Sequence, residues 1–209
     1  MNKKAIIISI KSFKLSKNEL KLLSTQKPWG LILFKRNIKS LSQIKDLIKK
    51  IRKTTKDSKF PIMIDEEGAT VTRLTKIFNH RVSQKLFGDF YKFNPKSSIK
   101  VYKNYVNYLC NLLKSIGINM NTVPVLDVLR KKTSKAIGNR SFSHDPDVVK
   151  KLGQICVNQY KLNKLATVIK HIPGHGCAAL DSHFKMPRVK LKFQDLNKVD
   201  FFPFKSNKS

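Results

Sequence analysis

The sequence predicts an α/β protein with a parallel sheet, of the (β/α)8 TIM-barrel type but incomplete, with about five of the eight β/α units. Several short apolar runs are continuous rather than alternating, which is typical of strands buried on both faces of a parallel sheet. Helical patterns or long polar segments separate these runs. Charged residues follow several runs, and a barrel collects functional groups at its strand ends, whereas a doubly wound sheet binds its ligand at one switch point.

The strands are expected at residues 5–10, 31–34, 60–64, 118–123 and 166–169. Two sequence signals predict helices after the first and second strands. Ser16 with Glu19, and Ser40 with Gln43, have the spacing of capping boxes, in which two side chains satisfy free N–H groups at a helix start. Apolar residues then recur at helical spacing through residue 54. The first half of the chain is therefore expected to contain strand–loop–helix units.

The segment before the fourth strand is only partly readable. Residues 76–98 are irregular and receive no assignment. Residues 102–116 have apolar positions at helical spacing and are followed by Gly117, which predicts a helix that ends there.

Beyond the fourth strand, Asp145, followed by a proline, predicts the start of a helix that runs to residue 160. No Gly-rich nucleotide-binding motif occurs, which removes the main nucleotide-binding alternatives.

The composition is strongly basic, with 43 Lys and Arg against 13 Asp and Glu and a formal net charge of +30 over 209 residues. The basic residues are dispersed over nearly every segment, and Lys greatly outnumbers Arg. This pattern does not indicate a phosphate-binding stripe. We therefore expect no specific nucleic-acid partner, and a nucleic-acid-associated protein is the least favoured function class.

The cysteines and the N-terminus bear on the compartment. The three cysteines are odd in number and form no C-x-x-C pair, which argues against a disulfide framework or a cysteine zinc site. The apolar run at residues 5–10 is shorter than a signal-peptide core of about 7–15 residues and than a membrane span of about 20. We expect a cytoplasmic protein with no membrane partner.

The stretch at residues 166–183 carries the strongest functional signal. An apolar strand is followed by a loop with five proton-handling groups: Lys170, His171, His175, Asp181 and His183. Proline and glycine residues break any helix in the loop, so its histidines cannot form a helical zinc-protease motif. Asp181 lies two residues before His183, close enough to fix the tautomer of that imidazole and raise its basicity. This arrangement suits a general acid/base.

Two other strand ends carry charged residues. The third strand runs into Asp65, Glu66 and Glu67, three acidic residues in a basic protein. They are explained either by charge at a helix N-terminus or by a functional site, and the residues alone leave both open. Asp127 follows the fourth strand, with Arg140 in the loop beyond it.

Six blocks of sequence occur in a fixed order along nearly the whole chain. They are GLILFKRNI from Gly30, IDEEGATVTRL from Ile64, NTVPVLDV from Asn121, AIGNRSF from Ala136, KHIPGHG from Lys170 and DSH from Asp181. Together these blocks resemble the family 3 glycoside hydrolases, specifically their bacterial β-N-acetylhexosaminidase branch. By this resemblance, residues 1–209 form a single N-terminal barrel-type domain.

The resemblance implies a glycosidase of peptidoglycan recycling that removes terminal N-acetylglucosamine by retention, through a glycosyl-enzyme intermediate. Its partner would be an N-acetylglucosamine-containing saccharide or muropeptide, with no cofactor and no metal. The implied sugar-binding residues are Asp65, Arg73, Arg140, Lys170 and His171. His183, oriented by Asp181, is similar to the family's acid/base, where most glycosidases use a carboxylic acid.

The sequence also departs from the family. Gly68 is followed by Ala69, where the family usually has a glycine pair. The family's nucleophile is an aspartate after a later strand, and no matching segment occurs in this sequence. We therefore expect a C-terminally truncated domain that lacks the nucleophile, with a chain carrying the rest of the barrel as a candidate partner. The alternative is a non-catalytic remnant or sugar-binding protein of the same fold.

Overall fold

The structure, a computed structural model, describes residues 3–181 and 184–205. Five strands, seven α-helices and two short 3-10 helices, Lys35–Asn37 and Gly138–Arg140, occur in this part of the chain. In chain order the strands and α-helices are β1 (Lys4–Ile8), α1 (Lys17–Gln26), β2 (Pro28–Leu33), α2 (Leu41–Thr55), β3 (Ile62–Ile64), α3 (Gln84–Phe93), α4 (Pro95–Ile116), β4 (Met120–Asn121), α5 (Pro146–Leu162), β5 (Ala166–Thr167), α6 (Phe193–Lys198) and α7 (Phe202–Lys205).

The strands form one sheet in the order β1-β2-β3-β4-β5. All four pairings are parallel, and each strand lies beside the next strand in the chain. A doubly wound sheet would reverse its strand order at a switch point, and this sheet does not. The arrangement is that of consecutive units of a (β/α)8 barrel, so the predicted fold class, including its incompleteness within the described residues, is confirmed.

The last two strands are shorter than predicted. The fourth was expected at 118–123 and the fifth at 166–169, yet only two residues of each form a ladder. Pro124 has no N–H to donate and interrupts the pairing. Contact then resumes through a bridge between Val125 and Lys170, in which the backbone N–H of Leu126 donates to the carbonyl of Lys170 at 2.7 Å. This bridge fixes where Lys170 leaves the sheet.

The capping box predicted for α1 forms in full, and the one predicted for α2 forms only in part. At α1 the capping box forms: the Glu19 N–H donates to Ser16 Oγ, and Glu19 Oε2 accepts from the Ser16 N–H. At α2 Ser40 caps the helix by accepting from the Gln43 N–H. The Gln43 side chain, however, accepts from the N–H of Lys39 at 2.7 Å. The expected second box is therefore shifted by one residue, although the helix begins where predicted.

The unassigned segment 76–98 contains α3 and the first turn of α4. Asn94 ends α3 and also caps α4, accepting from the Ser97 N–H at 3.0 Å, with Pro95 at the first helical position. Ser83 caps α3 in the same way. The predicted helix over 102–116 is therefore confirmed as the main part of α4, whereas α3 and the start of α4 were missed because the extended backbone at Asn94 interrupts the periodic pattern.

The core lies between the sheet and the helices that cover it. The fully buried strand residues include Leu31, Leu33, Ile62 and Ile64. The helix α2 contributes Ile44, Leu47, Ile48 and Ile51 at the predicted spacing. Burying a side chain of this kind stabilises the fold by about 1.5–3 kcal/mol, so this layer holds the sheet in place. Within residues 3–181 and 184–205, no helix is long and apolar enough to span a bilayer.

Candidate active site

One cavity of about 420 Å³ opens at the carboxyl ends of β3, β4 and β5. It is lined by Asp65, Glu67, Val71, Arg73, Thr122, Ala136, Ile137, Arg140, Val168, Lys170, His171, His175 and Asp181. The five side chains singled out as a sugar-binding set therefore lie around a single cavity, and Asp181 joins them. His183 lies outside the described residues. The parallel sheet brings these residues together because all of its strands end at the same side.

Asp65 follows β3 directly and carries one carboxylate of the cavity. Its Oδ2 accepts a hydrogen bond from Arg73 Nη2 at 2.9 Å, and its Oδ1 accepts one from Thr122 Oγ1 at 2.5 Å. Burial alone would raise the pKa of the Asp65 carboxyl, but the Thr122 hydroxyl and the charges of Lys170 and Arg73 outweigh it and lower that pKa below its ordinary value. Asp65 is thus held as a carboxylate that accepts hydrogen bonds.

Glu67, which was not among the expected sugar-binding residues, is the second carboxylate of the cavity. It accepts a bidentate pair from Arg140, with Nε to Oε2 at 2.7 Å and Nη2 to Oε1 at 2.9 Å, and Lys170 Nζ also contacts Oε1. Burial lowers the pKa of the Arg140 guanidinium, yet Glu67 raises it above its ordinary value on balance. The acidic run at residues 65–67 was the sequence signal for this residue.

Glu66, between them, faces away from the cavity and is fully buried. Its Oε2 accepts from the backbone N–H groups of Arg73 at 2.8 Å and Leu74 at 3.1 Å, and its Oε1 lies 2.9 Å from His80 Nε2. Glu66 therefore holds the loop that carries Arg73. No helix begins at the acidic run, since the next helix starts at Gln84, so the helix N-terminal explanation of these charges is wrong.

Lys170 connects the two carboxylates of the cavity. Its Nζ donates to Thr122 Oγ1 at 2.8 Å, lies 3.6 Å from Asp65 Oδ1 and contacts Glu67. Thr122 is a second residue that the sequence did not single out, and its hydroxyl accepts from Lys170 while donating to Asp65. Since a hydroxyl carries one proton and two lone pairs, this relay uses both of its functions. The Lys170 ammonium is held at a fixed point in the cavity wall.

His171 projects beside Arg140, and both of its ring nitrogens have partners. Nδ1 lies 2.6 Å from Asp127 Oδ2, and Nε2 lies 3.1 Å from Arg140 Nη2. His175 lies further along the same loop, and its backbone N–H donates to Asp127 Oδ1 at 2.7 Å. The sequence indicated Asp127 as a charged residue after the fourth strand, and the structure makes it the anchor of this loop.

The cavity combines fixed donors and fixed acceptors. Arg73, Arg140 and Lys170 supply N–H groups, and Asp65 and Glu67 supply carboxylate oxygens, so the charges largely offset one another. Such a lining suits a neutral ligand with several hydroxyl and amide groups better than a strongly charged one. Over residues 3–181 and 184–205, no group of three or more His, Cys, Asp or Glu residues is arranged to hold a metal ion.

Comparison with known proteins gives a consistent picture. The sequence model of the glycosyl hydrolase family 3 N terminal domain matches residues 2–207. A beta-hexosaminidase of Hydrogenovibrio crunogenus is 30% identical over 95% of this chain and 55% of its own length. A beta-hexosaminidase of Actinobacillus pleuropneumoniae is 31% identical over 96% of this chain and 57% of its own. The chain thus spans little more than half the length of these relatives.

Solved structures extend the comparison to the fold. Native NagZ from Neisseria gonorrhoeae superposes with a TM-score of 0.90 at 27% identity, covering 98% of this chain and 59% of that one. The same protein in complex with N-trifluoroacetyl-D-glucosamine superposes with a TM-score of 0.89 at 26% identity. The likeness therefore covers the sheet, its helices and the segment that forms the cavity. From the match over residues 2–207, this chain belongs to glycosyl hydrolase family 3, in its N-terminal domain.

Proposed function

We propose that this chain forms the sugar-binding and acid/base part of a β-N-acetylhexosaminidase. Its substrate is a terminal N-acetylglucosamine on a saccharide or muropeptide, in cytoplasmic peptidoglycan recycling. The observation that carries the proposal is the meeting of Asp65, Arg73, Arg140, Lys170 and His171 around one cavity. Its volume of about 420 Å³ is in the range of small-molecule sites.

The proposed roles follow from the chemistry of the side chains. The carboxylate of Asp65 accepts hydrogen bonds from sugar hydroxyls, and its lowered pKa keeps it ionised at neutral pH. Arg73 and Lys170 donate to hydroxyl or acetamido oxygens, and both are already held in place by Asp65. A site with donors and acceptors fixed before binding loses less entropy when the sugar enters.

For the chemical step we propose retention with a histidine acid/base. His183, oriented by Asp181, protonates the leaving oxygen and later takes a proton from water. Retention also needs a carboxylate nucleophile on the opposite side of the sugar carbon. Among the described residues, the Asp65 and Glu67 carboxylates at the cavity are each occupied by Lys170 and an arginine, which makes them poor nucleophiles. We therefore assign neither of them this role.

The two edges of the sheet support a further part of the proposal. Among the described residues, β1 pairs only with β2 and β5 only with β4. Apolar side chains stay exposed near these edges, with Ile6 at 52% and Val168 at 37%. A closed eight-stranded barrel would bury both edges. We propose that additional β/α units, on the same polypeptide or on a complementing chain, cover them.

Calorimetric titration of the chain with N-acetylglucosamine, and with glucose for comparison, tests the sugar-binding role. We expect N-acetylglucosamine to bind measurably more tightly, because the acetamido group adds hydrogen bonds to the cavity cations. Lys170→Met removes the ammonium group while keeping a long unbranched side chain, and should weaken binding about tenfold or more. Thermal unfolding of both proteins shows whether the variant is folded.

Lys103→Met provides the matched control, because Lys103 is an exposed residue of α4 that does not line the cavity. Its affinity should equal that of the wild type. Equal affinity for the two sugars, or unchanged binding in folded Lys170→Met, would contradict the proposal. Sugar binding without any turnover in a chain completed by further β/α units would favour the sugar-binding alternative over the hydrolase.

A further inference from the structure

Asp127 has an arrangement of hydrogen bonds that the sugar-binding set does not explain. Its side chain is fully buried, yet it carries a carboxylate in a loop beyond β4. Oδ1 accepts from the backbone N–H of His175 at 2.7 Å and of His171 at 3.3 Å, and Oδ2 lies 2.6 Å from His171 Nδ1. A buried carboxylate must be satisfied by hydrogen bonds, and all three N–H groups come from one loop.

The neighbour of the other ring nitrogen, Nε2, determines which nitrogen of His171 carries the proton. Arg140 Nη2 is 3.1 Å from His171 Nε2, and a guanidinium can only donate. Nε2 must therefore be the acceptor, without a proton, and the single ring proton is on Nδ1, where it points at Asp127. A proton on Nε2 would face the N–H groups of Arg140. The two neighbours thus select the same tautomer from opposite sides of the ring.

We propose that Asp127 is a positioning residue that fixes the Nδ1–H tautomer of His171 and so presents Nε2 to the cavity as a hydrogen-bond acceptor. The inference rests on the proposed sugar-binding function for its consequence, though not for its geometry. The single lone pair of Nε2 accepts from Arg140 Nη2 in the structure, so a ligand hydroxyl or amide N–H would bind there by displacing that hydrogen bond, while Arg140 keeps its pair with Glu67. With the opposite tautomer His171 would offer a donor, beside three cations that already donate.

A simpler role for Asp127 would be to clamp the loop at residues 171–175. The substitution Asp127→Asn separates the two roles. The amide oxygen is expected to stay with the two backbone N–H groups, since turning it away would leave both unpaired. The amide NH2 group then faces His171 Nδ1 and forces the proton to Nε2. The loop clamp is kept while the tautomer is reversed.

Long-range proton–nitrogen NMR correlations of the histidine rings at neutral pH report the tautomer directly. The His171 signals are assigned by their loss in His171→Gln. We expect Nδ1–H in the wild type and a switch to Nε2–H, or a mixture, in Asp127→Asn. Glu66→Gln is the matched control, because Glu66 is also a fully buried carboxylate with backbone N–H donors but does not contact His171. Its His171 tautomer should be unchanged.

An Nε2–H tautomer in the wild type would overturn the proposal. This measurement needs no variant, so the proposal can be tested even if Asp127→Asn does not fold. An unchanged tautomer in folded Asp127→Asn would overturn it as well. Because no sugar is present, this measurement decides about Asp127 even if N-acetylglucosamine proves not to bind. Absence of sugar binding in a wild type with the expected tautomer would count against the proposed function alone.

A double-mutant cycle on N-acetylglucosamine affinity tests the consequence for binding. Asp127→Asn should weaken binding about 10- to 100-fold in the wild-type background. In a His171→Ala background it should have little further effect, because Asp127 acts through His171. An equal loss in both backgrounds would show that Asp127 only clamps the loop, and would overturn the positioning role.

Discussion

Arg73 and Asp65 form an ion pair at the carboxyl end of β3, with Nη2 2.9 Å from Oδ2, although they are eight residues apart in the chain. The backbone of Arg73 is fixed independently, because its N–H donates to the buried Glu66. The guanidinium therefore meets Asp65 from a loop whose position does not depend on the pair itself. This relationship makes the cavity preorganised before any ligand enters.

Asp65→Asn should weaken N-acetylglucosamine binding about 10- to 100-fold, because a neutral amide replaces a carboxylate that accepts charge-assisted hydrogen bonds. Calorimetric titration measures the change. Asp57→Asn is the control, since Asp57 pairs with Lys3 and does not line the cavity. Wild-type affinity in Asp65→Asn would mean that Asp65 does not touch the sugar.

The same carboxylate should leave a signature in the pH dependence of stability. Its pKa in the folded protein lies below the ordinary value of 3.8, which stands for the unfolded chain. Its contribution is therefore fully present above pH 3.8 and is lost as pH falls through the folded pKa. The free energy of unfolding from urea titrations should differ between the wild type and Asp65→Asn at pH 7, and the difference should shrink below pH 3.8. A difference that grows on acidification would contradict the assigned direction.

Gly88→Ala should destabilise the protein by about 1–3 kcal/mol, although alanine is the better helix former. Gly88 lies in α3, where an added Cβ would come within 1.8 Å of the Phe142 carbonyl oxygen. The backbone of one of the two elements must shift to make room. Urea unfolding measures the effect, with the exposed α4 substitution Asn104→Ala as a control that should be neutral or slightly stabilising. A stabilised Gly88→Ala would show that α3 does not pack this closely.

Asp200→Ala should cost about 3 kcal/mol in the free energy of unfolding. Asp200 is fully buried and pairs with Arg130, which is 70 residues earlier in the chain. Removing the carboxylate leaves the guanidinium without its partner and opens space beside Gly174. Asp195→Ala, on the neighbouring helix α6, should change stability by less than about 0.5 kcal/mol. Equal effects of the two substitutions would argue against a structural role for the Arg130 pair.

The purified 209-residue chain should hydrolyse a chromogenic N-acetylglucosaminide below about 1 s⁻¹, against an enzyme median of ~10 s⁻¹. Asp65 and Glu67 are occupied by cations, so neither is expected to supply the nucleophile that retention needs. Activity that remains in a His183→Ala variant would come from contaminating enzymes. Turnover near the median that is lost in this variant would show that a carboxylate of this chain does act as the nucleophile.

Much of the fold was readable from the sequence because its signals are local. Continuous apolar runs marked all five strands of the sheet, and the cap at Ser16 marked the start of α1. The main part of α4 was also predicted, but α3 and the start of α4 were not, because Asn94 serves both helices and interrupts the periodic pattern. The short pairing of β4 with β5 depended on Pro124, whose effect appears only when a neighbouring strand is present.

The sequence by itself determined which strands run into charged residues, and its motifs named five side chains that line the cavity. Only the tertiary structure decided how the acidic run divides, with Glu66 buried under the loop and Glu67 paired to Arg140, which lies 73 residues away. It also decided that Asp127 holds His171, across 44 residues. The physical reason is that side-chain direction in a loop follows the backbone path, and the partners of a buried charge are set by packing between strand ends that no local pattern encodes.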